Sequence, residues 1–304
     1  MLNSDHLEDV YVRANGVRLH CVTRGKGPLI LFLHGFPEFW YEWKNQLGEF
    51  GKDFCAVAPD LRGYNLSEKP VELEQYRGKV LIEDIRALAD HFRQNDRIFL
   101  VGHDWGGALA WAFAAAYPDY LKKLIIVNAP HPGIFARLLA SDPAQQEASQ
   151  YMIVFRSPNA EAILSANNYA VLAENVLASL EKTGAFTEAD RAAYLEAWSQ
   201  PGALTGGLNY YRANHLGPAE RSEVAAEGDH ATSHFGAEPA QMVVKVPTLV
   251  IWGEKDTALI SRNLDGLEKF VPQLTIKRVP DASHWVVHEK PSDVNRYIRE
   301  FAQG

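Results

Sequence analysis

The stretch from Asp96 to Pro118 constrains this chain most. It opens with the apolar run Ile98–Val101, of the length and β-branched content of a buried parallel strand, and closes with an alanine-rich segment ended by Pro118, which reads as a helix. Between them lies Gly102-His103-Asp104-Trp105-Gly106-Gly107. A strand that turns straight into a helix leaves no room for side chains two positions either side of the apex, which accounts for Gly102 and Gly106. The same turn pushes the apex side chain outward at a helix N-terminus, where negative charge is favoured. Asp104 alone would pass for a helix cap. With the glycines around it, the stretch reads as a nucleophile elbow carrying Asp where serine usually stands. Such an elbow calls for a histidine, a second acid and an oxyanion site elsewhere in the chain.

The flanking sequence supplies the sheet that an elbow needs. Residues 9–14 and 17–24 alternate around Asn15-Gly16, a two-residue hairpin signal. Pro28–Leu33 is a buried strand ending at His34-Gly35-Phe36-Pro37, whose small and cis-capable residues suit a loop with its backbone close to a ligand. A helix over 39–50, a strand Phe54–Ala58, a helix over 76–93 and a strand Leu121–Asn128 complete the alternation of a mainly parallel sheet with helices on both faces. From about 134 to 216 the pattern turns helical, with segments near 134–155, 160–181, 187–199 and 203–214, and 217–240 reads as a polar, acidic loop. Strand signals resume at Thr248–Trp252 and Leu274–Val279, before a last helix near 291–302. The chain is therefore expected to divide into an α/β core, residues 1–132 and 241–304, and an inserted helical cap, residues 133–240.

Bulk properties narrow the classes. The 304 residues are 47% apolar and 22% charged, as in an ordinary soluble globular protein, with length enough for a sizeable core. A net charge of −8 argues against nucleic-acid or anionic-membrane partners. Two cysteines in strand-like runs, Cys21 and Cys55, read as buried free thiols of a reducing compartment. With no signal-peptide pattern and no apolar run near the ~20 residues of a membrane span, a cytoplasmic location is expected.

Two further loops follow predicted strands. Trp252-Gly253-Glu254-Lys255-Asp256 ends one strand, and Asp281-Ala282-Ser283-His284 follows the last. Asp104, Asp256 and His284 thus stand in the order nucleophile, acid, base, each beyond the C-terminal end of a strand, where open parallel sheets hold their sites. His230 and His234, and likewise His284 and His288, are four apart without further ligands in view, so no metal is expected.

These motifs, His34-Gly35-Phe36-Pro37, the elbow, Trp252 to Asp256 and His284-Trp285, make the chain resemble the epoxide hydrolases of the α/β-hydrolase fold over nearly its whole length. The elbow and triad are shared with haloalkane dehalogenases. The resemblance implies two lid tyrosines facing the nucleophile. One belongs to a Tyr-x-x-x-Phe-x-x-Pro pattern, here Tyr151, Phe155 and Pro158; the other belongs to Asn209-Tyr210-Tyr211-Arg212, which assigns the second proton donor to Tyr211.

Chemistry explains the residue types. Serine attacking a saturated carbon would leave an ether; a carboxylate leaves an ester that water can cleave. Asp104, with a reference pKa of ~3.9, needs no base for its attack. His284, oriented by Asp256, is free to deprotonate a water that attacks the ester, whose oxyanion backbone N–H groups of Phe36 and Trp105 would meet. An opened epoxide also needs a proton, which a phenol with a reference pKa of ~10 can give. A halide needs N–H donors instead, and Phe36 has none in its side chain, while Trp105 replaces the arginine of fluoroacetate-type dehalogenases. The reading is a cofactor-independent epoxide hydrolase acting on a small, apolar epoxide in a pocket of Phe36, Trp105, Phe155 and Tyr210. Its rivals are a haloalkane or haloacetate dehalogenase and a catalytically silent receptor of the same fold.

Overall fold

A computed structural model describes residues 6–181, 186–218 and 242–304. Its centre is a sheet of eight strands in the order β1-β2-β4-β3-β5-β6-β7-β8. The strands are β1 (Glu8–Ala14), β2 (Val17–Arg24), β3 (Leu29–Leu33), β4 (Cys55–Pro59), β5 (Ile98–His103), β6 (Leu121–Val127), β7 (Thr248–Gly253) and β8 (Leu274–Val279). Ala14 pairs with Val17 across Asn15-Gly16, closing the expected hairpin, and β2 meets β4 antiparallel. From β4 to β8 every pairing is parallel.

Strand side chains alternate between two cores, as a period of two requires. Leu31, Leu33, Leu100, Ile126 and Val250 face the side covered by α2 (Gly78–Phe92) and α3 (Asp104–Ala116). Ile30, Phe32, Val101, Val127 and Ile251 face the other side, covered by α1 (Lys44–Phe50), α10 (Val286–Glu289) and α11 (Pro291–Gln303). Burial on both faces explains why these strands read as continuous apolar runs.

Between β6 and β7 the described residues are helical: α4 (Pro132–Ser141), α5 (Pro143–Ala148), α6 (Tyr151–Arg156), α7 (Ala160–Glu181), α8 (Glu188–Ser199) and α9 (Ala203–Ala213). The single helix expected over 134–155 is three. Pro143 cannot donate to the preceding turn, and the Asp142 side chain accepts from Ala144 N and Gln145 N to start a new helix. Within α7 the backbone leaves helical geometry at Ala166–Tyr169, where Asn167, Asn168 and Tyr169 are left-handed, a region that asparagine enters more readily than most residues with a side chain. The helix expected over 39–50 begins as a 3-10 turn, Trp40–Trp43. The acidic loop expected over 217–240, with His230 and His234, lies outside the described residues from 219 onward. Both cysteines are free, Cys21 buried and Cys55 half-buried.

His131 clasps the two ends of this insertion. Its Nδ1 accepts from Gly133 N at 3.2 Å, its Nε2 donates to Met242 O at 2.8 Å, and its ring stacks on Phe270 at 4.4 Å. Burial lowers its pKa to about 4, so the folded protein keeps the neutral ring that both bonds need. A folded pKa below the unfolded one means that this stability is present above pH ~6.5 and is lost as pH falls toward 4, by about 3 kcal/mol in all. Protection factors for hydrogen exchange at Gly133–Phe135 and Val244, corrected for the intrinsic pH dependence of exchange, should therefore fall across that window, and His131→Phe should flatten the dependence.

Candidate active site

The elbow is built as its glycines require. Asp104 has a φ of 49°, an uncommon conformation for a residue with a side chain. A Cβ on Gly106 would come within 2.1 Å of Leu33 O, and one on Gly102 within 2.4 Å of Gly106 O, so neither position admits another residue without moving backbone. The loop after β3 presses equally close. A Cβ on Gly35 would lie 2.2 Å from Asp104 Oδ1, and that approach lets Phe36 N donate to the same oxygen at 2.8 Å. The Phe36–Pro37 peptide bond is cis.

The structure brings the three expected groups together. His284 Nδ1 lies 2.7 Å from Asp256 Oδ2, and His284 Nε2 lies 3.8 Å from Asp104 Oδ2. The first contact is a full hydrogen bond. The second is a gap, too long for a direct bond and short enough for the imidazole to act on a water at the carboxylate carbon. Asp256 is nearly enclosed. Burial alone would raise its carboxyl, but His284, the N–H groups of Ala258 (2.9 Å) and Leu259 (2.8 Å), and Asn128 Nδ2 (2.7 Å) hold it below the usual range.

Sequence reasoning missed Asn128 as part of this group. It follows β6 at the sheet end that carries the other site residues, and that position was the available signal. Its amide also accepts from Gly253 N at 2.8 Å, tying β6 to β7 beside the acid.

A second polar cluster lies behind the base. His103 Nε2 donates to the His284 carbonyl at 2.9 Å, and its Nδ1 lies 2.5 Å from Glu42 Oε1 without the alignment of a hydrogen bond. Burial, then the charge of Glu38, pushes the Glu42 carboxyl well up; burial pushes the His103 ring down. His288, four residues from His284, points away to Glu38 (3.2 Å) and to the Tyr194 hydroxyl (3.2 Å), which itself donates to Glu38 at 2.5 Å.

The inserted helices cover Asp104 with aromatic side chains. Phe155 lies 5.2 Å from the Tyr151 ring, 5.1 Å from Tyr211 and 5.1 Å from Phe36, while Tyr211 lies 5.2 Å from Trp105. Burial first, then the negative charge of Asp104, pushes both Tyr151 and Tyr211 well above the ordinary phenol range. Tyr210 points elsewhere. One step along α9 turns it about 100° from Tyr211, so its hydroxyl donates to Arg62 O at 2.9 Å and its ring backs Trp105 at 5.4 Å. Its ring lies behind Trp105, apart from the side chains that cover Asp104. Arg212 anchors this helix by gripping both oxygens of Glu161 at 2.6 and 2.7 Å.

Residues 28–291 match the family model of the α/β hydrolase fold. The chain is 36% identical to epoxide hydrolase 3 of Xenopus tropicalis over 99% of its own length and 79% of that protein. The chain belongs to the epoxide hydrolases of the α/β-hydrolase fold. It is 39% identical to the AB hydrolase superfamily protein YfhM of Bacillus subtilis, covering 98% of each chain. Among solved structures it is similar to an epoxide hydrolase mutant from Bacillus megaterium complexed with its product, a naphthyloxy-propane-diol. There the TM-score is 0.88, at 39% identity over 97% of this chain and 100% of that one. The enzyme is a hydrolase. The silent-receptor rival gains nothing from these relatives, which are named as hydrolases.

Asn128→Ala removes a hydrogen bond to a charged carboxylate, an interaction worth about 1.5–3 kcal/mol. Turnover of an aryl epoxide should fall roughly tenfold to a hundredfold, with the melting temperature changed by a few degrees at most; unchanged steady-state kinetics would contradict the role.

Proposed function

We propose that this enzyme converts an apolar epoxide to a vicinal diol through an ester on Asp104, with residues 133–240 acting as a cap over a core of residues 1–132 and 241–304. The observation that carries the reading is the pair of phenols, Tyr211 buried and Tyr151 half-buried, that pack on Phe155 and are pushed well above the ordinary phenol range beside an aspartate at a nucleophile elbow. A halide leaving group has no use for two proton donors; an opening epoxide needs at least one.

An oxygen of the Asp104 carboxylate attacks a ring carbon, the ring C–O bond breaks, and a tyrosine hydroxyl gives its proton to the departing oxygen. The product is a hydroxyalkyl ester and a phenolate in the cap. His284 then takes a proton from water, whose oxygen adds to the ester carbonyl. Phe36 N, already directed at Asp104 Oδ1, and the N–H of Trp105 at the start of α3 are suited to receive the negative charge of that adduct. Collapse releases the diol and restores the carboxylate. The imidazolium, stabilised by Asp256, returns its proton, which restores the phenol. No step requires a metal or cofactor.

Phe36, Trp105 and Phe155 around the nucleophile favour an aromatic or otherwise apolar substituent on the epoxide. The naphthyloxy diol bound by the Bacillus megaterium relative is of that kind. Among the described residues no helix is long and apolar enough to cross a membrane. A cytoplasmic location remains part of the proposal, supported by the two free thiols.

A panel of aryl and aliphatic epoxides, run beside haloalkanes and haloacetates with diol and halide both assayed, tests the reading; halide without diol would assign the dehalogenase activity instead. Asp104→Ala should abolish turnover in a folded protein. His284→Ala should accumulate a covalent adduct with the mass of the intact epoxide. Tyr151→Phe and Tyr211→Phe should each slow ring opening by roughly tenfold or more, and the absence of an effect in both would remove the argument from the phenols.

A further inference from the structure

The loop that follows the catalytic acid is gripped by a cap side chain. Gln145, on α5, is fully buried, and its amide uses all of its hydrogen-bonding capacity. Its Nε2 donates to Ala258 O at 2.8 Å and to Ser149 Oγ at 2.9 Å, and its Oε1 accepts from Ile260 N at 3.2 Å and Asn263 Nδ2 at 2.7 Å. Three of these four partners lie between 258 and 263.

The bond to Ala258 O has a particular consequence. The carbonyl of Ala258 and the N–H of Leu259 belong to one planar peptide unit. Leu259 N donates to Asp256 Oδ1 at 2.8 Å, and Ala258 N donates to the same oxygen at 2.9 Å. One peptide plane is therefore held at its oxygen by Gln145 and at its nitrogen by the catalytic acid. A donor on the carbonyl polarises the unit and strengthens the N–H at its other end. The plane also cannot turn without breaking a bond at each side. A leucine or methionine would fill the same volume, so packing alone does not call for a buried amide here.

We infer that Gln145 is a positioning residue for the ester-hydrolysis half of the reaction: from the cap, it sets the peptide that aims the Leu259 N–H at Asp256, next to the Ala258 N–H on the same oxygen, and through Asp256 it sets the orientation of the His284 ring. The inference rests on the Asp104-ester reading above. Its consequence is that the cap serves both half-reactions, with Tyr151 and Tyr211 acting on ring opening and Gln145 on ester cleavage. The ion pair of Arg262 with Asp142 at 2.7 Å spans the same two segments, but Arg262 is exposed and such a pair holds little.

Gln145→Met keeps the volume and deletes the amide. In single-turnover mixing of the whole enzyme with an aryl epoxide, alkylation of Asp104 should stay within about twofold of the parent. Ester hydrolysis should slow by about tenfold, and intact-mass spectrometry should find the adduct accumulating in the steady state. Should the variant not fold, Gln145→Glu keeps the acceptor and withdraws the donor from Ala258 O, and the same split is expected. Unchanged rates, or both steps slowed by one factor together with a lower melting temperature, would reduce Gln145 to a packing residue. His284→Ala under the same conditions separates the two failures. If it traps no adduct, the ester reading falls and this inference falls with it; if it traps adduct while the Gln145 variants show no split, this inference alone is overturned.

Discussion

The structure is organised around one carboxylate, Asp104, fixed at the sharp junction of β5 and α3 and gripped there by a second loop. Asp104 sits at a positive φ at the end of β5, a conformation that persists only because its surroundings over-determine it. Gly102 and Gly106 let strand and helix close around it, and Gly35 lets a second loop press against the side chain itself. The start of α3 and the Phe36 N–H supply the partial positive charge that offsets the loss of solvent.

Around this charge the other acids are placed in different states. Asp256 is held ionised by two backbone N–H groups, Asn128 and His284. Glu38 is also held low, with His288 and Tyr194 about it, against the burial that would raise it. Glu42, buried beside Glu38 without an aligned partner, is driven toward its neutral form. Buried carboxyl groups this close would repel if all were charged; the surroundings of Asp256 and Glu38 move them one way and those of Glu42 the other.

The inserted helices are bound to the core at the loops that carry the chemistry. Trp198 Nε1 donates to Pro37 O at 2.6 Å and Tyr194 bonds Glu38, so α8 grips the loop whose Phe36 N–H bonds Asp104. Tyr210 bonds Arg62 O from α9, and Gln145 bonds the loop after Asp256 from α5. His131 ties the ends of the insertion together. Movement of these helices would be felt at the loop that bonds Asp104 and at Asp256, as well as at Tyr151 and Tyr211.

The amino-acid sequence by itself determined the alternation of strands and helices, the elbow with Asp104 at its tip, and the order Asp104, Asp256, His284. These are local matters: a period of two or 3.6 residues, the steric need for glycine two positions from an apex, and the ends of strands where loops begin. It did not determine the breaks at Pro143 and at Asn167-Asn168 within the helical block, which rest on capping and backbone choices that periodicity averages over. Nor did spacing determine which tyrosine of the pair 210–211 faces Asp104; only the resemblance of Asn209-Tyr210-Tyr211-Arg212 to the family motif pointed to Tyr211. The rotation of α9 about its axis decides that, and packing against Phe36, Trp105 and Phe155 sets the rotation. The partners of the buried polar groups were decided by tertiary structure alone. Asn128 and Asp256 are 128 residues apart, Glu38 and Tyr194 are 156, and Gln145 and Ala258 are 113. A hydrogen bond needs its two atoms within a few tenths of an ångström of ideal separation, and no local pattern in a chain carries that information across a hundred residues.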